Sequence, residues 1–351
     1  MAVFCWLRPA RPTYSTVDMA YKVLALQVNA PAVTVLSSRD DAEAHMLATI
    51  DRLDRQLTAT LNQAGRDVLL VVTPEAFLTG APSTESIDKW RDKACLEIDG
   101  RIYETLSAMV QRHQVYFSGN AYEQDPYFPE LFFQTSFLIG PNGDVLLRYR
   151  RLNATGIPTP HDVWGLYLDA YGYDSLFPVA KTNIGNLACL AGDDLLYPEV
   201  ARCLAMRGAE VLLHAAAESY SPVPPYRSMV RQVRAAETMS CVVSANLAGL
   251  TESPVPLAGG GSKIVDPRGL VLADAGHGEN LSVIADIDLA ALRELRQRPA
   301  ATNWPAQLRT ELYAESYTQH AVYPSGTLLS QTPDRQQNLR TQQEVVRKLY
   351  A

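Results

Sequence analysis

Three points in the sequence put charged or reactive positions where an apolar run ends. Glu75 follows LLVVTP, Arg151 closes VLLRYRR, and Gly192-Asp193-Asp194 follow NLACLA. In α/β proteins the crevice beyond the strand ends is where ligands and reacting groups collect. A carboxylate placed there can take a proton from a small molecule or accept a hydrogen bond from its N–H or O–H. A guanidinium can support a developing oxyanion or hold a carboxylate through two parallel hydrogen bonds, but it is a poor proton donor. A turn from strand into helix exposes one side chain, a position suited to a nucleophile. Here that residue is Gly192, which has none.

The neighbours of Gly192 offer substitutes. Cys189 stands three residues earlier, and an odd offset in a strand turns its side chain to the other face, so it is expected as a small buried core residue. Asp194 is expected to cap the helix that follows, which leaves Asp193 and Tyr197 as candidates to meet a ligand. The long segment Asn153 to Ala180 adds the acids Asp162, Asp169 and Asp174. Its aromatic residues, Trp164, Tyr167, Tyr171, Tyr173 and Phe177, either line a pocket or pack against one another. Asp162, Trp164, Asp193 and Tyr197 are therefore the expected ligand-binding residues. Glu75 has two readings, as a base or ligand-binding group and as a strand-end acid that pairs with Arg151. His214, inside the strand-like VLLHAAA, reads as a satisfied core imidazole, and Ala258 to Ser262 (AGGGS) lacks the lysine and helix of a phosphate loop.

The elements that must position these groups alternate in type. Tyr21 to Val28 is a β-type run, and helical spacing from Asp41 ends at Gly65. A continuous apolar run to Val72 predicts a strand covered on both faces. Arg101 to His113 is helical, and a strand follows it. Two β-runs flank PNGD, a hairpin in which Asn142-Gly143 is expected to supply positive φ angles. Thr182 to Ala191 reads as one strand, Tyr197 to Arg207 as a helix with Pro198 in its first turn, and Pro225 to Met239 as another helix. Strands at Ala209 to Ala217, Cys241 to Gly249, Ser262 to Ala275 and Leu281 to Leu289 complete the set. The pattern implies one α/β domain of two buried sheets covered by helices, over residues 21–300. Residues 1–20 are an extension, and 301–351 a polar arm.

Composition narrows the function classes. The chain has 351 residues, 47% hydrophobic and 20% charged, with a net charge of -7. Such acidity disfavours nucleic acid or an anionic membrane as partner, and no apolar run approaches the ~18 residues that span a bilayer. The N-terminus lacks an apolar core followed by a small-residue cleavage site, so no signal peptide is expected. Cys5, Cys95, Cys189, Cys203 and Cys241 are scattered, as are six histidines. Reduced thiols in a cytoplasmic protein are expected, with no metal site and no cofactor.

Taken together, the segments from about Tyr21 to Tyr313 resemble the nitrilase, or carbon–nitrogen hydrolase, superfamily. VVTPEAFLTG is similar to the family segment whose glutamate is the general base. NGDVLLRYRRL is similar to the segment whose lysine stabilises charge, and TNIGNLACLAGDDLLYPEVARCLAMRGAEVLL to the one whose cysteine is the nucleophile. RQVRAAETMSCVVSANLAG, GGSKIVDPRGLVLADA, ADIDLAALRELR and RTELY resemble later segments. The resemblance implies a four-layer α-β-β-α sandwich and a homodimer or larger homo-oligomer. It places the catalytic roles on Glu75, on Arg151 where the family has lysine, and on Gly192 where it has cysteine. It also implies a second glutamate in the Asn153 to Ala180 segment, which has none, so that Asp162 is the closest acidic candidate with Asp169 and Asp174 as rivals. Counting back from Tyr197-Pro198-Glu199 and forward from Thr182 and Gly185 reaches Gly192 both ways. The implied function is binding of a small amide, nitrile or carboxylate-type molecule, with any chemistry proceeding without a thioester. The alternative is an inactive pseudoenzyme serving as a binding or scaffold subunit.

Overall fold

Face alternation along single strands shows how the layers are built. In β1 (Tyr21–Gln27), Tyr21, Val23 and Ala25 join one apolar cluster while Leu24 and Leu26 join another with the helix residues Met46, Ile50, Leu53 and Leu57. A strand divided this way has a second sheet on one face and helices on the other.

The computed structural model describes residues 20–65, 67–219, 226–251, 259–278, 280–329 and 334–350. The extension expected over 1–20 lies outside these residues, apart from position 20. After β1 come β2 (Asn29–Pro31), α1 (Arg39–Ala64), β3 (Val68–Val72), α2 (Ile87–Ala94), α3 (Arg101–His113), β4 (Tyr116–Gln124), β5 (Phe132–Ile139) and β6 (Val145–Arg150). Then follow α4 (Trp164–Tyr171), β7 (Ala180–Thr182), β8 (Gly185–Ala191), α5 (Pro198–Met206), β9 (Val211–Ala216), α6 (Tyr226–Thr238), β10 (Cys241–Asn246) and β11 (Gly249–Thr251). The chain closes with β12 (Lys263–Val265), β13 (Val271–Asp274), β14 (Leu281–Ile287), α7 (Leu289–Gln297), α8 (Trp304–Gln307), α9 (Glu311–Gln319) and α10 (Arg335–Leu349).

One six-stranded sheet runs β14-β1-β3-β4-β5-β6, the other β13-β12-β10-β9-β8-β7, and β11 pairs with β2 in a small ribbon. β5 and β6 face β8 while β1 faces β10, so the sheets lie face to face. With helices outside each, this is the expected four-layer α-β-β-α sandwich. Ser38 caps α1 by accepting from Asp41 N, and Gly65 ends it at φ +100°.

Two local expectations need correction, and two segments gain detail. In the β5–β6 hairpin only Gly143 takes a positive φ, at +86°. Gly140 O accepts from Gly143 N, and the β5–β6 register shifts at Leu138/Ile139, so Pro141-Asn142 forms an ordinary turn and glycine absorbs the left-handed step. Residues 182–191 are two strands, because Gly185 at φ +111° folds β7 back antiparallel on β8. The 153–180 segment contains α4 and short 3-10 turns. The C-terminal arm folds back on the body: Leu328 joins the core, Tyr317 OH donates to Glu199 at 2.6 Å, and Gly326 N donates to His161 O at 2.9 Å. Among the described residues, no helix is long and apolar enough to cross a membrane.

Candidate functional site

Glu75 leaves the end of β3 on a strained turn. The next residue, Ala76, has φ +48°, rare for a residue with a Cβ. The turn is held because Glu75 N donates to Ala216 O at 3.2 Å and Ala76 N donates to the Asn120 side chain at 3.0 Å. Asn120 in β4 is fixed in turn by Ser136, which donates to Leu190 O in the facing sheet. Both sheets therefore set the position of one carboxylate.

Arg151 reaches that carboxylate from the end of β6. Its Nη1 donates to Glu75 Oε1 at 2.9 Å and to Gln134 Oε1 at 3.0 Å, while Gln134 Nε2 donates to Glu75 Oε1 at 2.7 Å. The guanidinium is anchored behind by Nε donating to Asn153 O at 3.0 Å. Asp194 holds the loop itself, its buried carboxylate accepting from Tyr149 OH, Leu152 N, Asn153 N and Asn153 Nδ2. This corrects the expected helix-cap role: no side chain caps α5, and Asp194 ties the Arg151 loop to the turn after β8.

Gly192 opens that turn with φ +49°. A Cβ built on it would lie 2.7 Å from Glu75 Oε2, 2.8 Å from Arg151 Cζ and 2.9 Å from Arg151 Nη1. Glu75, Arg151 and Gly192 thus converge, and the first two fill the space a side chain at the third would need. The sequence pointed to these three.

Behind the turn lies a chain that sequence reading did not find. His214 Nε2 meets Gly192 O at 2.9 Å and Nδ1 meets Ser244 Oγ at 2.8 Å. Arg231 Nε donates to Ser244 Oγ at 2.7 Å, so the hydroxyl hydrogen is left for His214 Nδ1 and the imidazole N–H points at the Gly192 carbonyl. Burial and nearby Arg231 lower the imidazole pKa to about 4. The satisfied core histidine is thus what the fold contains. Gln134, Asn120, Arg227, Glu218 and Arg231 were also missed, because none stands at a recognisable spacing from Glu75.

Burial pushes the Glu75 carboxyl above its ordinary range, with Arg151 and Gln134 opposing and Asp193 and Glu218 adding to the rise. Burial acts against the charge on Arg151, but Glu75, Asp194 and Asp193 outweigh it and raise its pKa. Asp193 lies at the rim, 3.5 Å from Arg151 Nη2 and 2.5 Å from Arg227 Nη1. Tyr197 is half-exposed just beyond, its phenol raised by burial, then by Asp194 and Asp193.

Two other ligand candidates are engaged elsewhere. Asp162 is buried, with Oδ2 accepting from Thr159 N and Oγ1 and Oδ1 accepting from Thr327 Oγ1. Trp164 packs on the core with its ring 5.6 Å from His161. Neither has a described contact with Glu75, Arg151 or Gly192. Of the other aromatic residues of this segment, Tyr167 and Tyr171 pack on each other and on Arg150, whose guanidinium lies 4.4 Å from the Tyr171 ring, while Tyr173 and Phe177 pack on each other and on Arg207. Arg148, Arg150 and Arg151 each meet a carboxylate, on Glu123, Asp125 and Glu75. None of the three is a merely solvated charge.

Cys189 stays apart, though not by the expected route. Its sulfur points between the sheets, 3.6 Å from Ser118 Oγ of the facing sheet, and burial pushes the thiol up to about 12. It is kept from Glu75 by its place along β8, since Gly192 lies past the strand end where face alternation no longer applies. Among the described residues, no group of three or more His, Cys, Asp or Glu is arranged to hold a metal ion.

Residues 40–297 match the family model described as carbon-nitrogen hydrolase. Similar curated proteins include omega-amidase NIT2 of Danio rerio, 25% identical over 77% of this chain and 93% of its own length. Omega-amidase NIT2 of Bos taurus is 29% identical over 70% of this chain and 84% of its own. Among solved structures, Saccharomyces cerevisiae Nit3, a member of branch 10 of the nitrilase superfamily, aligns with TM-score 0.62 and 21% identity over 79% of this chain and 93% of its own. A mutant of the Nesterenkonia AN1 amidase aligns with TM-score 0.60 and 20% identity over 84% and 97%.

Proposed function

This chain belongs to the carbon–nitrogen hydrolase family, and from that premise we propose that it is a non-hydrolytic member. It binds a small amide, nitrile or carboxylate-type molecule at Glu75 and Arg151 and forms no thioester. One observation carries the reading. The position facing Glu75 and Arg151 is Gly192, and the space its side chain would take is occupied by that pair. Covalent hydrolysis of an amide needs a nucleophile at this point. Cys189 is a buried, protonated thiol held against Ser118, and Asp193 is hydrogen-bonded to Arg227 and ion-paired with Arg151. A repurposed acid–base enzyme would need a ligand-sized gap between Glu75 and Arg151, and the 2.9 Å contact weighs against one.

The test is to incubate the protein with a panel of small amides, nitriles and carbamoyl compounds beside Glu75→Gln, measuring ammonia release and acyl adducts by mass spectrometry. No release and no adduct is expected from either protein. Release by the native chain that disappears in Glu75→Gln would overturn the proposal. Gly192→Cys combined with Arg151→Lys, which thins the group crowding the new side chain, is expected to gain an acyl adduct.

The homo-oligomer implied by the family resemblance is part of the same proposal. Exposed Met206, Val233, Trp304 and Leu308 surround a depression of about 510 Å³ on the α5–α6 side, an apolar surface that supports pairing. Analytical ultracentrifugation tests it: a monomer at micromolar concentration would remove this part.

A further inference from the structure

Asp193 shares its carboxylate between arginines from two different elements. One oxygen lies 3.5 Å from Arg151 Nη2, just past β6, and the other 2.5 Å from Arg227 Nη1 in the first turn of α6. Arg227 also approaches Glu218 Oε1 at 3.5 Å, but Glu218 is closer to Arg231, at 2.9 Å. Asp193 is therefore the nearer of the two acids to Arg227, and it also approaches the outer nitrogen of Arg151. Exposure sets it apart from the rest of the cluster. Its side chain is 42% exposed and that of Arg227 33%, against 11% for Arg151 and 12% for Glu75. The described partners of its carboxylate are these two guanidinium groups, whereas the carboxylate of its neighbour Asp194 is bound by backbone N–H groups. Asp193 is thus a carboxylate at the solvent end of a buried polar cluster, able to leave without breaking the turn.

We propose that this place is a carboxylate-binding subsite: a small organic carboxylate displaces the Asp193 side chain and lies between Arg151 and Arg227. Asp193 is the tethered competitor that closes the subsite when no ligand is present. The inference rests on the binding-protein reading above and narrows its ligand to a molecule carrying at least one carboxylate. Planar guanidinium groups match carboxylate geometry, and the group already seated there is itself a carboxylate. A competitor on the same chain acts at high effective concentration, so it weakens every free ligand and its removal restores their affinity. Replacing one carboxylate by another leaves the charge between the two arginines unchanged.

The test is titration calorimetry on the full chain with succinate, its neutral diamide succinamide, and sulfate. Native protein is compared with Asp193→Asn, Arg227→Gln and Arg227→Lys. Succinate affinity is expected to rise about tenfold or more in Asp193→Asn, to fall about tenfold or more in Arg227→Gln, and to fall less in Arg227→Lys. Succinamide is expected to ignore all three changes. An unchanged succinate affinity in Asp193→Asn overturns the subsite. So does an equal gain for sulfate, which would mark a general anion site, or the absence of succinate binding in every variant. The outcome is separable from the hydrolysis assay. A silent native protein with an unresponsive Asp193→Asn removes the subsite alone, while ammonia release removes the non-hydrolytic reading alone.

Discussion

Arg151 and Glu75 are in direct contact, Nη1 to Oε1 at 2.9 Å, with Gln134 bonded to both and Gly192 facing them without a side chain. The two residues, 76 positions apart in sequence, close on each other at the strand ends.

Breaking this pair from one side leaves a buried charge without its partner. Glu75→Ala is expected to lower stability by about 3–5 kcal/mol, and Glu75→Ala with Arg151→Met by less than Glu75→Ala alone. Urea unfolding of both variants measures the difference. Equal losses would mean the pair is not coupled.

Gly192→Ala is expected to cost about 1–3 kcal/mol, from a left-handed φ of +49° and from a methyl crowded against the Glu75 carboxylate. The same measurement on Gly192→Ala in the Arg151→Lys background is expected to show a smaller loss, because the guanidinium carbon and nitrogen closest to the new methyl are then absent.

His214 makes stability fall on acidification. Its folded pKa, about 4, lies below the ordinary value of 6.5, so between these values the unfolded chain binds a proton that the folded chain refuses. The contribution is complete above about pH 6.5 and is lost as the pH falls towards 4, at up to about 1.4 kcal/mol per pH unit. Chemical unfolding across this window is expected to show a shallower decline for His214→Gln than for the native chain. Parallel curves would remove the assignment.

Thiol labelling reads the core directly. Among the described cysteines, half-buried Cys203 is expected to react with iodoacetamide at pH 8 before Cys95, Cys189 and Cys241, which are buried and whose thiols are raised by burial. Peptide mass spectrometry of the native protein would show the order, and early labelling of Cys189 would contradict its place between the sheets.

Much of the architecture was legible because it rests on short-range rules. The helix period brought out α1 and α3, continuous apolar runs brought out β3 and β9, and segment order indicated the family and with it the layered sandwich. Glu75, Arg151 and Gly192 were legible for the same reason, since each stands at the end of a strong strand signal. Where local signals were weak the reading slipped. A three-residue β7 is too short to have a period of its own, and a turn with Asn-Gly can place its left-handed step on glycine alone.

By itself the sequence determined which side chains stand at the strand ends and that the one between strand and helix is glycine. It did not determine their partners. Only the folded chain decided that Asp194 serves the Arg151 loop instead of a helix end, that Asp162 is consumed by Thr159 and Thr327, and that Gln134 and Asn120 complete the cluster around Glu75. The reason is physical. A side chain's type follows from its position in the chain, but a buried polar group must be satisfied by whatever the packing brings near it, and in this protein those neighbours come from strands and loops far apart in sequence.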